Sequence, residues 1–242
     1  MKRTERFTLI ELLVVIAIIA TLAALLLPSL AATKVRAKGI QCVSNQRQCL
    51  LATISYTADA NGWTPPADSN VSGWASSLAR GWYVNLLYNG YLPNSCVESF
   101  FIDGGGRVWL AKLRYPNVQS CPVLQPPGDY DPWMKNITYA PRWPAALGSE
   151  TANLEGEVWS YSNGGSTVLE RLKPNLPYLA DTTCTTDPQS TGGYWQCNVQ
   201  MNNIVISLSH QRKGGMGYGD GHVALVSQAE LSGVGITKMY SP

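Results

Sequence analysis

Charge is scarce in this chain, and so are the short motifs on which soluble enzymes commonly depend. Charged side chains make up 14% of the 242 residues, and histidine occurs only at His210 and His222. No Cys-x-x-Cys pair occurs, which argues against a zinc ribbon. No Gly-x-Ser-x-Gly elbow occurs either, and a Ser-His-Asp or Cys-His arrangement would have to draw on one of two histidines that flank glycine-rich sequence. Gly104-Gly105-Gly106 has no Lys-Ser/Thr behind it and no helix after it, so it reads as a turn and not a phosphate loop. The carboxylate pairs Asp129/Asp131 and Glu155/Glu157 lie in loop-like sequence and read as solvated. There is no basic stripe with interleaved aromatics, which argues against a nucleic-acid partner. Together these absences predict a protein that is not an enzyme and carries no cofactor.

What the chain does have is one long apolar run, from Phe7 to Leu27, holding a single carboxylate, Glu11. As a helix it extends about 31 Å at ~1.5 Å per residue, enough for a bilayer core of ~30 Å. Lys2, Arg3 and Arg6 precede the run, which predicts a cytoplasmic N-terminus and export of the chain beyond the span. A carboxylate in lipid is costly unless a cation meets it, so Glu11 reads as functional and its partner has to be named. Pro28 closes the run; inside a helix it removes one backbone bond and predicts a kink or a local opening.

The sequence Phe7-Thr8-Leu9-Ile10-Glu11-Leu12, continuing to Ala20, resembles the N-terminus of type IV pilins and type II secretion pseudopilins. The resemblance implies cleavage by a prepilin peptidase between Arg6 and Phe7 and methylation of the new amine. It also implies that Glu11 meets the N-terminal ammonium of a neighbouring subunit during assembly. This chain departs from the family by having Arg6 where Gly is usual and Ala20 where a helix-loosening Gly is common, while the expected proline is present as Pro28. The implied partners are identical or homologous pilin subunits, the peptidase, an inner-membrane assembly platform and the lipid bilayer. The implied location is the bacterial inner membrane, single-pass, and then a periplasmic or extracellular filament.

This gives a division into a leader at 1–6, a transmembrane and assembly helix at 7–27, an amphipathic continuation at 28–60, and an extracytoplasmic β-rich globular domain at 61–242. Removing the leader takes away Lys2, Arg3, Arg6 and Glu5, so 18 − 3 = 15 basic residues face 16 − 1 = 15 acidic ones. Beyond Pro28, Ile40, Val43, Leu50, Leu51 and Ile54 fall on one helical arc, a bed for the globular domain. Asp59-Ala60-Asn61-Gly62 followed by Pro65-Pro66 predicts the helix end. A short amphipathic helix is expected within Trp74–Leu92, two strands within Phe100–Leu113, and loop from Cys121 to Trp143. Further strands are expected at Val158–Ser162, Val168–Leu172, Tyr178–Asp181 and Ile204–Leu208, with a hairpin turn at Asn163-Gly164-Gly165. A helix followed by antiparallel strands without βαβ alternation is α+β, here pilin-like with long loops.

Six cysteines suit an oxidising compartment. Cys184 and Cys197 bracket a short polar segment and make the best local bridge. The pilin-like resemblance pairs Cys42 with Cys121, leaving Cys49 and Cys96 either bridged or as thiols. Near the C-terminus, His210 is followed by nine residues and then Asp220-Gly221, which resembles the C-terminal signature of a large family of pilin-like proteins. Read from its residues, Asp220-Gly221 is a two-residue hairpin turn with both positions tolerant of positive φ, followed by the strand Val223–Val226. His210, Asp220 and His222 would together suit zinc, but the ligand count is short, so the expectation is no metal, with His210 hydrogen-bonding the turn and Asp220 capping it. Alternatives to a filament subunit are a membrane-anchored or exported binding protein, with Trp74, Trp82, Tyr83 and Tyr88 as a glycan platform, and a secreted protein cut near Ser29-Leu30-Ala31.

Overall fold

The computed structural model describes residues 8–66, 82–93, 97–102, 108–113, 118, 121–123, 139–141, 159–160, 166–175, 177–184, 204–234, 236 and 239–240. The chain divides into two compact units, Met1–Lys38 and Gly39–Pro242.

Helix α1 runs Leu9–Asp59 and contains Pro28 without a break. From Leu9 to Ala37 its side chains are exposed, Leu9 at 85% and Leu25 at 77%, and it is long and apolar enough to cross a membrane. Hydroxyls in this stretch turn back onto the backbone, Thr21 to the Ile18 carbonyl at 2.8 Å and Ser29 to the Leu26 carbonyl at 2.8 Å. A polar side chain in an apolar surrounding satisfies itself this way. The helix stops where expected. Asn61 and Gly62 take left-handed φ of 51° and 85°, and the Gly62 N–H returns to the Thr57 carbonyl at 2.8 Å.

In the second unit, α1 from Gly39 onward buries Gly39, Cys42, Asn45, Gln46, Cys49, Leu50, Ala52, Thr53 and Thr57. The expected apolar arc holds in part: Leu50 is buried and Ile54 packs half-buried against the core, whereas Ile40 is 71% exposed and Leu51 50% exposed. Apart from Leu50 the buried face is mostly small or polar, and it lies against glycines. β8 (Lys213–Tyr218) carries Gly215, where a Cβ would stand 2.6 Å from Gln46 Nε2, and Gly217, where it would stand 3.3 Å from Leu50 Cδ2. Close approach of a helix to a strand replaces interdigitating large side chains there.

β6 (Pro177–Cys184) is the hub of the sheet. β8 pairs antiparallel along one of its edges, and β3 (Tyr139–Pro141) and β7 (Ile204–Ser207) pair antiparallel along the other. β9 (Val223–Ser227) forms a hairpin with β8, and β10 (Met239–Tyr240) joins β7 in parallel, the one departure from the expected antiparallel sheet among the described residues. The order across the sheet is β10-β7-β6-β8-β9, with β3 also on β6. Leu50, Leu86, Leu87, Tyr139 and Leu179 belong to one core, and Leu208, Met216, Val226, Leu231 and Ile236 to a second. α3 (Gln228–Gly233) starts in a capping box between Ser227 and Glu230.

The remaining elements adjust the expectations. α2 occupies Trp82–Tyr88 and ends at Gly90 with φ of 79°; Trp74 lies outside the described residues. β1 (Val97–Ile102) and β2 (Val108–Leu113) pair antiparallel as expected. β3 falls inside the predicted loop of 121–143, a three-residue strand too short to announce itself by alternation. β4 (Trp159–Ser160) pairs with β5 (Ser166–Thr167), but the predicted strand at Val168–Leu172 is instead a 3₁₀ turn at Leu169–Arg171. The turn between β8 and β9 is a three-residue loop and not a two-residue one. Gly221 N–H bonds the Tyr218 carbonyl at 3.0 Å, Tyr218 N–H bonds the His222 carbonyl at 3.0 Å, and only Gly221 has positive φ, at 92°.

Candidate functional sites on the apolar helix and in the buried core

At the start of α1, Thr8 and Glu11 form a reciprocal pair. Glu11 Oε2 accepts from the Thr8 N–H at 2.8 Å and from the Thr8 hydroxyl at 2.8 Å, while the Glu11 N–H reaches the Thr8 hydroxyl at 3.3 Å. Three residues of spacing bring the carboxylate back over backbone donors that have no carbonyl partner at a helix start. The threonine thus has a role that the pattern of apolar residues did not reveal. Arg6 and Phe7 lie outside the described residues, and Pro28 lies within the helix.

A second constellation lies in the core of the Gly39–Pro242 unit. Cys42 from α1, Cys121 from the segment before Pro122, Asp181 from β6 and His210 from the turn before β8 present ligand atoms all within 4.8 Å of one another, and all four residues are buried. Cys42 Sγ donates to Asp181 Oδ2 at 3.3 Å, Cys121 Sγ contacts His210 Nε2 at 3.2 Å, and His210 Nε2 lies 3.4 Å from Asp181 Oδ2. Around them, Gly215 N–H donates to Asp181 Oδ2 at 3.0 Å, the Tyr139 hydroxyl contacts Cys42 Sγ at 3.5 Å, and Ser209 Oγ stands 3.9 Å from Cys121 Sγ. His210 Nδ1 is buried and meets no hydrogen-bond partner among the described residues.

Burial dominates the electrostatics of this cluster. It pushes the Cys42 thiol well above its usual range, with the hydrogen bond to Cys121 and the Asp181 charge adding to it. It pushes Asp181 up to about 6, with the Cys121 charge adding and the bonds from His210 and Gly215 N–H opposing. For His210 burial opposes protonation, but the bonds to Asp181 and Cys121 outweigh it and raise the imidazole to about 10.

The structure therefore regroups the residues singled out from sequence. His210, Asp220 and His222 are not brought together. His210 sits before the first residue of β8 and Asp220 beyond its last, a strand about 20 Å long at ~3.3 Å per residue. Asp220 and His222 bond each other at 2.6 Å on the exposed turn, where His222 stacks on Tyr218 with ring centroids 4.1 Å apart. Asp220 caps the turn through the His222 N–H at 3.1 Å. His210 does not reach that turn; its backbone closes a different one with Lys213, at 2.9 and 3.1 Å, across Gln211 and Arg212. Cys42 and Cys121, paired by resemblance as a disulfide, stand side by side as thiols. Cys184 ends β6, and Cys197 lies outside the described residues. Trp82 and Tyr83 are buried core and offer no exposed platform.

An exposed apolar helix that continues into a unit where its second half packs on an antiparallel sheet is the architecture of a pilin-type subunit. The comparison with curated proteins agrees. The chain is 32% identical over 114 residues to the type IV wide pilus major component PilA4 of Thermus thermophilus, a match covering 46% of this chain and 82% of that protein. The chain belongs to the type IV pilin family. No family profile matches it, and no solved structure does, so the likeness of the His210–Gly221 segment to a signature family stands as a resemblance.

Proposed function

We propose that this protein is a structural subunit of a type IV pilus-like filament, inserted in the inner membrane, cut before Phe7 by a prepilin peptidase and assembled through its N-terminal helix. The observation that carries the reading is the unbroken exposure of large apolar side chains from Leu9 to Leu30. Soluble monomers rarely leave so large a contiguous apolar stripe in water. Two surroundings cover it in turn under this proposal: lipid before assembly, and the helices of neighbouring subunits after it.

Glu11 fits both stages. Its Oε2 is occupied by Thr8, but an ionised carboxylate has about four acceptor positions, leaving Oε1 for the amine created at Phe7 of the next subunit. Its ammonium would meet a carboxylate already held in place, so little side-chain entropy is lost on docking. The role is structural, and the partners under this proposal are other pilin subunits, the peptidase and the assembly platform. Replacing Glu11 by Ala should leave membrane insertion intact and abolish or strongly slow filament formation; a normal filament yield from that variant would overturn the assigned role.

A further inference from the structure

We propose that Cys42, Cys121, Asp181 and His210 form a closed structural site for a divalent metal ion with the preferences of zinc, which ties helix α1 to the sheet. The inference is independent of the filament reading, since all four residues lie in the Gly39–Pro242 unit.

The donor set is the first argument. Two thiols, one imidazole nitrogen and one carboxylate are each established zinc ligands, and four protein ligands with no open position define a structural and not a catalytic site. Spacing is the second. Ligand bonds of ~2.0–2.3 Å in a tetrahedron place the ligand atoms roughly 3.3–3.8 Å apart. The contacts Cys42–Asp181 at 3.3 Å, Cys121–His210 at 3.2 Å and His210–Asp181 at 3.4 Å lie close to those edges, and no pair exceeds 4.8 Å. Small shifts of the side chains, outward for these close pairs and inward for any pair wider than about 3.8 Å, would admit the ion.

Burial is the third argument. Cys42, Cys121 and Asp181 are fully buried and His210 is 4% exposed. A disulfide between the two cysteines would account for them alone and leave no reason to place a carboxylate and an imidazole against it in the core, where both carry a desolvation cost. A metal ion accounts for all four. On binding, the two thiols and the imidazolium release their protons to solvent, and the dipositive ion is held by two thiolates, one carboxylate and a neutral imidazole. One net negative charge remains. The Gly215 N–H on Asp181 and the Tyr139 hydroxyl on Cys42 are the outer donors that disperse it.

The ligands come from positions far apart in the chain, Cys42 and Asp181 being 139 residues apart and Cys121 and His210 89 apart. An ion bound only by the folded unit would stabilise it by mass action.

The test uses the full chain, isolated in detergent from its native host without reductant or chelator. Zinc content is measured, and cysteine-containing peptides are mapped by non-reducing mass spectrometry. The expected result is about one zinc per chain, as a closed four-ligand site requires, with Cys42 and Cys121 open to alkylation only after denaturation with a chelator. Replacing the ion by cobalt(II) should give the thiolate-to-cobalt charge-transfer band and the intense visible bands of a tetrahedral centre. Cys121→Ser should lose the ion, Cys49→Ser should keep it, and Tyr139→Phe should weaken binding by about 10-fold. Because the cobalt spectrum is read on the unmutated chain, misfolding of a variant does not decide the matter. A Cys42–Cys121 linked peptide, or reduced thiols that take up neither zinc nor cobalt, would overturn the proposal.

Discussion

Replacing Gly215 by Ala probes the packing on which the C-terminal unit rests. The new methyl carbon would stand 2.6 Å from Gln46 Nε2, 3.0 Å from Gln46 Cδ and 3.0 Å from Asp181 Oδ2. Neither neighbour has room to yield, because Gln46 and Asp181 are both fully buried. Two bonds converge on the same residue: Gln46 Nε2 donates to the Gly215 carbonyl at 2.9 Å, and the Gly215 N–H donates to Asp181 at 3.0 Å. Overpacking alone costs about 1–3 kcal/mol, and disturbing a neutral and a charge-assisted bond adds about 2 kcal/mol, so the expected loss is roughly 3–5 kcal/mol. For a unit of this size that lowers the melting temperature by roughly 10 °C. The assay is thermal unfolding of the full chain in detergent, followed by near-ultraviolet circular dichroism, beside Gly233→Ala as control. Gly233 closes α3 with nothing within 4 Å of an added methyl, so the control should be neutral or slightly stabilising. A Gly215→Ala change within about 0.5 kcal/mol of the unmutated chain, the range of an ordinary surface substitution, would refute the claim that α1 and β8 pack through glycine.

Further predictions concern turns, caps and assembly. Gln211 and Arg212 hold φ of 54° and 63° in the tight turn that carries His210. Since left-handed backbone costs L-residues about 1–2 kcal/mol, the double change Gln211→Asn, Arg212→Gly should stabilise the unit by about 1 kcal/mol in denaturant melts. Ser227→Ala removes the oxygen that accepts from the Glu230 N–H and should cost about 1 kcal/mol, measured the same way. Thr8→Ala removes the cap on α1 but keeps the Glu11 charge, so filament yield should fall far less than with Glu11→Ala; equal losses would mean that Glu11 acts as a cap alone.

The apolar run and Glu11 are legible in the sequence because lipid-spanning composition is a property of neighbouring residues. So is the end of α1 at Asn61-Gly62, since positive φ narrows the choice of residue. The buried face of α1 is legible only in part, for a physical reason: helical periodicity is sought in large apolar side chains and finds Leu50, whereas most of the face that packs is Gly39, Cys42, Gln46, Cys49, Thr53 and Thr57. The residues that explain it are in another segment, Gly215 and Gly217, and only the fold shows that they are opposite. The same holds for the buried cluster. The pilin-like resemblance pairs Cys42 and Cys121 with each other, His210 looks tied to a hairpin turn that in fact lies beyond the far end of β8, and Asp181 is one more residue of a strand. The available signal is Asp181 itself, a charged residue ending a predicted strand, whose burial would demand partners.

The most direct test of the central claim is mass spectrometry of the N-terminal peptide of the protein recovered from its native host. The expected chain begins at N-methylated Phe7, the product of prepilin processing that frees the amine for Glu11 of another subunit. An intact Met1, or a start at Ala32 after signal cleavage, would contradict it.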